Sequence, residues 1–233
     1  MKNLLKIAAA VALVVLGFSP PAMAVQNVAA TKHNLSSTNP DTVNNISTPT
    51  TAFVCGFCHS PHTEAGGPAP LWNRGASAAT YTMYTSPTMD MTVAGAPASI
   101  SQACLSCHDG TVAFDQLING AGSGGYNAAG ASQGWQFQIN GANVGNTMAA
   151  APGGAVTNLG TVLTGDHPIS VTYDPAQDPQ FVALATVQAS TLQLYGAGTD
   201  QVECATCHNP HEATNPTFLR ASIDTLCTTC HIK

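Results

Sequence analysis

The sequence is poor in charged residues, in aromatic residues and above all in basic residues. Charged residues make up 8% of the 233 residues and aromatic ones 6%, and six Lys and Arg residues stand against twelve Asp and Glu residues. Proteins bind phosphate backbones mainly through clusters of lysine and arginine. Because the basic residues here are few and scattered, we expect no nucleic-acid partner.

Long hydrophobic runs are also scarce, and the clearest one lies near the start of the chain. The apolar segment 7–18 follows Lys2 and Lys6 and precedes the small residues Ala22 and Ala24. This pattern is typical of a secretory signal peptide, here cut after Ala24. The run is short for a bilayer span, with an uncleaved anchor as the alternative. We therefore expect no membrane span and a secreted protein, extracellular or on the cell surface, or alternatively periplasmic.

A sustained hydrophobic period is missing as well. Large aliphatic residues follow no period of 3.6 or 2.0 beyond the first 24 residues, whereas the chain holds 21 Gly and 15 Pro. Such a chain buries too little apolar surface to offset its conformational entropy, yet it lacks the high charge typical of disordered proteins. This composition predicts few secondary structures, mostly coil with short helices and minor β hairpins, around a core filled by a bound group.

The sequence does contain eight cysteines in four C-x-x-C pairs, each followed directly by histidine. This signature attaches haem c, because the two thiols add to the vinyl groups of one porphyrin and the histidine binds its iron. The spacing therefore predicts four haem c groups. In chain order, motifs 1 to 4 supply the haem-binding cysteines Cys55 and Cys58, Cys104 and Cys107, Cys204 and Cys207, Cys227 and Cys230, and the proximal ligands His59, His108, His208 and His231.

Two other uses of paired cysteines are open to an exported chain. C-x-x-C pairs also form zinc and redox sites, and an even number of cysteines in a secreted protein often forms disulfides. A zinc ribbon does not need the following histidine, and a disulfide framework needs neither the histidine nor the fixed spacing. Four motifs out of four with both features favour haem c over these alternatives.

The remaining histidines match the number of irons that need a second axial ligand. They are His33, His62, His167 and His211, and we predict all four as distal iron ligands. Methionine is the rival ligand, but Met83, Met89, Met91 and Met148 are expected to fill gaps in an irregular core. Two histidines on each iron leave no open position for a substrate. We therefore predict an electron carrier with no catalytic residues rather than an enzyme.

The histidines and cysteines together show an internal repeat. Each half has an upstream histidine, an extended C-x-x-C-H-x-P-H motif and then a plain C-x-x-C-H motif. The sequence predicts a signal peptide at 1–24, a two-haem module at 25–110, a Gly/Ala/Asn-rich β or loop insert at 111–160 and a second two-haem module at 161–233. In the extended motifs, the last histidine lies three residues beyond the proximal one, on the same side of a helical turn. It therefore reaches the iron of a neighbouring haem rather than that of its own motif.

Hairpin signals occur in the insert. Asn119-Gly120 and Asn140-Gly141 follow apolar or alternating residues, as in tight β hairpins. The segment 135–139 alternates between apolar and polar side chains as a half-buried strand does. We expect a small β-rich or loop region that covers haem faces.

These motifs resemble the multihaem cytochromes with doubled C-x-x-C-H modules of metal-reducing bacteria. The resemblance rests on Lys32–Ser36, the extended motif 55–62, motif 2 followed by Asp109-Gly110, Asp166-His167-Pro168 and the extended motif 204–211. The four-haem count, the size and the early histidine are similar to the OmcE type of that group. Members of this type polymerise into extracellular filaments with a continuous chain of stacked, bis-histidine haems.

The resemblance also implies partners. It implies redox proteins as electron donors, extracellular electron acceptors, and a homopolymer in which His33 ligates a haem of the adjacent subunit. The competing assignment puts His33 on a haem of its own chain, as the repeat with His167 suggests. A soluble monomeric shuttle of the periplasm or cell surface is the alternative function, and a multihaem reductase is a further one.

Overall fold

Most of the described chain is coil and turn, interrupted by short elements. The computed structural model describes residues 27–41, 43–44, 46–47, 51–61, 67–121, 125–196 and 198–232. The α-helices are α1 (Ser99–His108), α2 (Gly154–Thr157), α3 (Leu184–Gln188), α4 (Cys204–Cys207) and α5 (Ile223–Leu226). Single 3₁₀ turns cover Val28–Ala30, Val54–Phe57, Met148–Ala150, Pro216–Phe218 and Cys227–Thr229. The predicted fold class, mostly coil with short helices and minor hairpins, is confirmed.

The strands form three small antiparallel groups. They are β1 (Ile46–Ser47), β2 (Gln116–Asn119), β3 (Tyr126–Ser132), β4 (Gln136–Ile139), β5 (Ala142–Gly145), β6 (Val171–Thr172) and β7 (Gln201–Val202). Strand β4 lies between β1 and β5, β2 pairs with β3, and β6 pairs with β7. Four of the seven strands in the described ranges therefore fall in the segment predicted as the insert.

The two Asn-Gly signals behave differently. Asn140 and Gly141 have φ values of 52° and 77° and join β4 to β5 in a two-residue turn, as predicted. Asn119 instead ends β2, and its partner strand β3 begins only at Tyr126. The reason is that Asn119 is held extended, because its backbone N–H donates to Asn73 Oδ1 at 2.8 Å and its carbonyl accepts from Asn73 Nδ2 at 3.1 Å.

The longest helix, α1, carries motif 2 and has a well-defined end. The N–H of Asp109 bonds to the carbonyl of Leu105, and that of Gly110 to the carbonyl of Cys107. Gly110 has a φ of 72°, the left-handed conformation that commonly stops a helix and that glycine adopts without strain. None of the helices in the described ranges combines the length and apolar character that a membrane crossing needs.

Two small hydrophobic clusters lie beside haem motifs. The first contains Phe57, Phe114, Leu117, Trp135, Phe137 and Ala151, with Met148, Cys58 and Cys107 packed against it. The second contains Met91, Val171, Tyr173, Val187 and Val202, with Met89, Phe181 and Cys230 packed against it. The first cluster joins the insert to motifs 1 and 2. Both clusters are small because the chain supplies few large apolar side chains.

A buried carboxylate organises the insert. Asp115 is fully buried, and its Oδ2 accepts hydrogen bonds from Ser132 Oγ at 2.6 Å and from the backbone N–H groups of Gln133, Gly134 and Trp135 at 2.9–3.2 Å. Its Oδ1 accepts a bond from Asn146 Nδ2 at 3.0 Å. These five donors replace water around the charge and fix the connection between β3 and β4.

Candidate metal centres

Each C-x-x-C-H motif is folded as a short helical turn. Motif 2 ends α1, motif 3 fills α4, and motifs 1 and 4 overlap 3₁₀ turns. In motifs 1, 3 and 4 the histidine N–H bonds to the carbonyl of the first cysteine at 2.8–3.1 Å. This turn places the two sulfurs of a motif on one side, since residues three apart on a helix are neighbours. All eight cysteines carry free thiols, which the attachment of haem requires.

Three proximal histidines are held in one tautomer. The Nδ1 atoms of His59, His108 and His208 lie 2.8 Å from backbone carbonyls, those of Pro70, Thr157 and Thr217. Because a carbonyl can only accept, Nδ1 carries the proton and Nε2 presents a lone pair for a metal. Burial also lowers the pKa of His108, which keeps the imidazole neutral, as a ligand must be.

The two extended motifs share one local structure. After motif 1 the chain returns so that Ser60 N–H bonds to the Leu71 carbonyl at 2.9 Å, and after motif 3 Asn209 N–H bonds to the Phe218 carbonyl at 2.8 Å. The returning segments form matching isolated bridges, His59 with Trp72 and His208 with Leu219. They also supply the carbonyls that hold the two proximal histidines. The two extended motifs therefore match in three dimensions as well as in sequence.

Six of the described histidines lie in three couples of neighbouring rings. The ring centroids are 6.2 Å apart for His33 and His108, 6.1 Å for His59 and His211, and 6.4 Å for His167 and His231. Two imidazoles that bind one metal from opposite faces, with metal–nitrogen bonds of about 2.0 Å, have centroids roughly 6.2 Å apart. Each couple thus has the spacing of two axial ligands on one iron.

The couples follow the repeat. The upstream histidines His33 and His167 each face the plain motif of their own half. His211 does not face His208, three residues before it, but His59 of the other half. The helical-turn argument predicts that His211 avoids the iron of His208, but it does not name His59 as the residue opposite. His62, the equivalent of His211 in the first half, lies outside the described residues, and His208 is the fourth of the predicted proximal ligands.

His33 is surrounded by groups of its own chain. Its ring centroid lies 6.2 Å from that of His108, while the adjacent-subunit haem implied by the resemblance stays a prediction. Its Nδ1 lies 3.2 Å from the Pro210 carbonyl, and its ring stacks on Phe218 with centroids 4.4 Å apart. Burial lowers its pKa to about 4. These contacts with its own chain agree with the competing assignment, which the repeat suggested.

Motifs 2 and 3 touch each other. Helix α1 packs against α4, the thiols of Cys104 and Cys204 influence each other's pKa, and Ser101 Oγ accepts a bond from the Cys204 N–H at 3.0 Å. Cysteine sulfurs mark the attached edge of a porphyrin. The haems of these two motifs would therefore be attached side by side, one in each half of the chain.

Two charged groups near the motifs were not singled out from the sequence. Arg74 is 2% exposed, and its guanidinium donates to the carbonyls of Ser106, Ala113 and Phe114. The one ion pair in the described ranges joins Lys32 to Asp41, so Arg74 has no carboxylate partner there. Burial raises the pKa of Cys107, and the Arg74 charge opposes this rise. In the sequence, Arg74 stood out only as one of very few basic residues.

Glu203 is the second of these two groups near the motifs. It is 1% exposed, its Oε2 accepts hydrogen bonds from Ser101 Oγ and Ser170 Oγ, and its Oε1 has no hydrogen-bond partner in the described part of the chain. Burial raises its pKa. Glu203 directly precedes Cys204 and connects α1, the Ser170 turn and α4. Its only signal in the sequence was its place next to a haem motif.

The donor set fits haem better than a bare metal ion. Within the described ranges, no three His, Cys, Asp or Glu side chains form a group that could hold a metal ion by themselves. A zinc site needs such a group, since zinc takes four protein ligands or three and a water. A haem iron takes four nitrogens from the porphyrin and needs only the two imidazoles that each couple provides.

Comparison with known families supports this interpretation over the end of the chain. A family model described as a doubled CXXCH motif matches residues 197–233, which contain motifs 3 and 4. No curated protein matches the sequence. The motif geometry and the match at 197–233 support haem c binding, electron transfer and, in general terms, a multihaem c-type cytochrome.

Proposed function

We propose that this protein transfers electrons through four covalently bound haem c groups, each with two histidine ligands. The observation that carries the proposal is the axial spacing of the couples His33–His108, His59–His211 and His167–His231. By the repeat, His62 and His208 serve the fourth iron. The haems supply reversible one-electron chemistry, and the chain attaches them, orients their ligands and excludes water.

We infer from the ligand count that the protein is not an enzyme. A nitrite, hydroxylamine or peroxide reductase needs an iron with an open position, and eight histidines saturate four irons. The reductase alternative predicts one high-spin haem in the wild-type protein, and the carrier predicts none.

The direct test is to remove one distal ligand at a time. His211→Ala should free the iron of motif 1, so one haem in four becomes high-spin and binds carbon monoxide. His62→Ala should do the same at motif 3. Asn209→Ala, next to the same motif, is a control that leaves every ligand in place and should leave the spectrum low-spin. If His211→Ala also left the spectrum wholly low-spin, the assignment of the couple His59–His211 would be wrong.

We further propose that the protein works outside the cell as a subunit of a conductive homopolymer that passes respiratory electrons to external acceptors. The signal peptide pattern and the resemblance to OmcE-type filament cytochromes support this. A soluble periplasmic or surface shuttle is the second candidate. Electron microscopy of material shed by the cells distinguishes them, because only the filament gives ordered fibres.

We propose that one iron–imidazole bond joins neighbouring subunits. The resemblance implies that His33 is the shared ligand, whereas its contacts with its own chain favour the couple of His62 with His208. The optical spectrum of verified monomer tests this. One high-spin haem in four that recovers on reassembly supports a shared couple, and His33→Ala or His62→Ala then shows which histidine is shared. A wholly low-spin monomer means that all four couples form within one chain.

A further inference from the structure

The three imidazole couples differ in the angle between their ring planes. The planes are nearly perpendicular for His33 with His108, at 79°, and for His167 with His231, at 74°. They are nearly parallel for His59 with His211, at 23°. The perpendicular couples are the equivalent ones of the two halves, in which an upstream histidine faces a plain motif.

The angle between axial imidazoles determines the electronic state of a low-spin ferric haem. Each imidazole donates π-electron density to the iron d orbital perpendicular to its own plane. Parallel rings raise one of the two dπ orbitals and separate them, which stabilises the ferric iron and gives a rhombic electron paramagnetic resonance (EPR) signal. Perpendicular rings raise both orbitals equally, so the ferric iron gives a strongly anisotropic signal and is easier to reduce. Ligand orientation is thus one of the means by which a protein tunes a haem.

The plane of His33 needs a holding contact other than its hydrogen bond. Its Nδ1 lies 3.2 Å from the Pro210 carbonyl, compared with 2.8 Å between His108 Nδ1 and the Thr157 carbonyl. A longer bond restrains rotation about the metal–nitrogen axis less. The stacked ring of Phe218, whose plane lies 22° from that of His33, supplies the missing restraint.

Phe218 is itself held in an unusual conformation. Its φ is 62° and that of Thr217 is 56°, both in the left-handed region that bulky residues rarely adopt. The Asn209 N–H bonds to the Phe218 carbonyl at 2.8 Å, and the Thr217 carbonyl accepts from His208 Nδ1 at 2.8 Å. The same turn therefore holds the proximal histidine of motif 3 and presents the Phe218 ring to His33, the distal histidine of motif 2.

We propose that Phe218 is a positioning residue that keeps the His33 imidazole perpendicular to His108, so that the haem of motif 2 has a strongly anisotropic ferric state. The haem of motif 4 belongs to the same class, and the haem of motif 1 belongs to the near-parallel, rhombic class. This inference rests on the proposed function, since it uses the same axial couples. It adds that the couples are either near-perpendicular or near-parallel. It also adds that Phe218, a residue of the second half, fixes the ring angle of a couple in the first half.

The wild-type protein gives the first test without any substitution. The EPR spectrum of the fully oxidised, four-haem protein should contain strongly anisotropic low-spin signals that integrate to at least two haems, and a rhombic signal of at least one. Low-spin haem with rhombic signals alone overturns the inference while leaving the proposed function intact. High-spin signals from the couples, or missing haem, would instead contradict the proposed function.

Variants then assign the signal to Phe218. His33→Ala should remove one strongly anisotropic low-spin signal and so identify it. Phe218→Ala should shift that same signal towards rhombic shape, with all haems still low-spin, because His33 is free to rotate. Phe218→Tyr keeps the stack and should restore the wild-type spectrum, and Tyr126→Ala is a control that removes an exposed ring in β3. An unchanged signal in a folded Phe218→Ala protein would show that Phe218 does not position His33.

Discussion

Arg74 is the clearest case in which one side chain should influence electron transfer without touching a substrate. Its charge is buried, lies near the thiols of the first half, and is balanced by carbonyl dipoles instead of a carboxylate. A buried cation stabilises the reduced haem, which carries one negative charge more than the oxidised haem. The haems of motifs 1 and 2 should therefore have higher reduction potentials than they would have beside a neutral side chain.

We predict that Arg74→Gln lowers the potentials of the haems of motifs 1 and 2. A unit charge about 10 Å from an iron is worth on the order of 1–2 kcal/mol at an effective dielectric constant of about 20, or on the order of 50 mV for one electron. Spectroelectrochemical titration of the loaded protein measures the change. Arg220→Gln is the matched variant, since the more exposed Arg220 lies beside the second half and should shift those haems less. Unchanged potentials in a folded Arg74→Gln protein would contradict the prediction.

Glu203 should make stability depend on pH in the opposite sense from an ordinary surface carboxylate. Burial raises its pKa, so the folded state binds a proton more tightly than the unfolded state does. The contribution of this group is therefore favourable at low pH and is lost as the pH rises through the folded-state pKa. The buried Oε1 without a described partner is the structural reason.

Glu203→Gln should consequently unfold at higher denaturant concentration than the wild type at about pH 7, with the difference vanishing towards about pH 4. Denaturant titration of the haem-loaded proteins across this range is the measurement. Glu212→Gln, a change of the same chemistry at a partly exposed position, serves as the control. If Glu203→Gln were less stable at neutral pH, the hydrogen bonds from the Ser101 and Ser170 hydroxyls to the ionised carboxylate would outweigh the cost of burying its charge.

Among the elements, the sheet of the insert depends most on a single residue. Asp115→Asn should destabilise the folded protein by about 2 kcal/mol. Both carboxylate oxygens of Asp115 accept hydrogen bonds in the wild type, whereas the NH₂ group of asparagine would face some of the same donors and could not accept from them. Thermal unfolding measures this loss. Asp90→Asn, at an exposed position, is the control and should change stability little. Equal stability of the two variants would show that the insert does not need the Asp115 charge.

The sequence predicted the local parts of the sites and missed the long-range ones. The spacing of each motif determines a helical turn, and the structure has such a turn in each motif, as it has the predicted turn at Asn140-Gly141. The i, i+3 argument also predicted that His211 avoids His208, but not that it faces His59, since no local pattern encodes a contact across half the chain. Arg74 and Glu203 were missed because burial, not residue type, makes them unusual.

On the scale of the whole molecule, the burial of two thiols, one in motif 1 and one in motif 4, bears on the order of assembly. Burial raises the pKa of Cys58 to about 12 and that of Cys230 to about 11. A thiol with so high a pKa is almost never a thiolate and reacts poorly. Haem attachment should therefore precede the final folding of the chain, which then packs around the bound groups.

We predict that a chain made in a host unable to attach haem stays unfolded. Limited proteolysis should degrade it much faster than the loaded protein, and circular dichroism should show little helix. A protein with the motif 4 cysteines Cys227 and Cys230 changed to alanine is an intermediate case and should lose order mainly in the second half. A protease-resistant chain without haem would show that its own two small clusters suffice for folding.

The exchange of contacts between the halves has a consequence for how the molecule comes apart. His211 of the second half faces His59 of the first, while His33 of the first rests on Phe218 and Pro210 of the second. With iron between His59 and His211, the halves cannot separate without breaking an iron–imidazole bond as well as the packing of His33. The two modules should then melt in one cooperative transition, and mechanical pulling on the two ends would stretch that iron–imidazole bond.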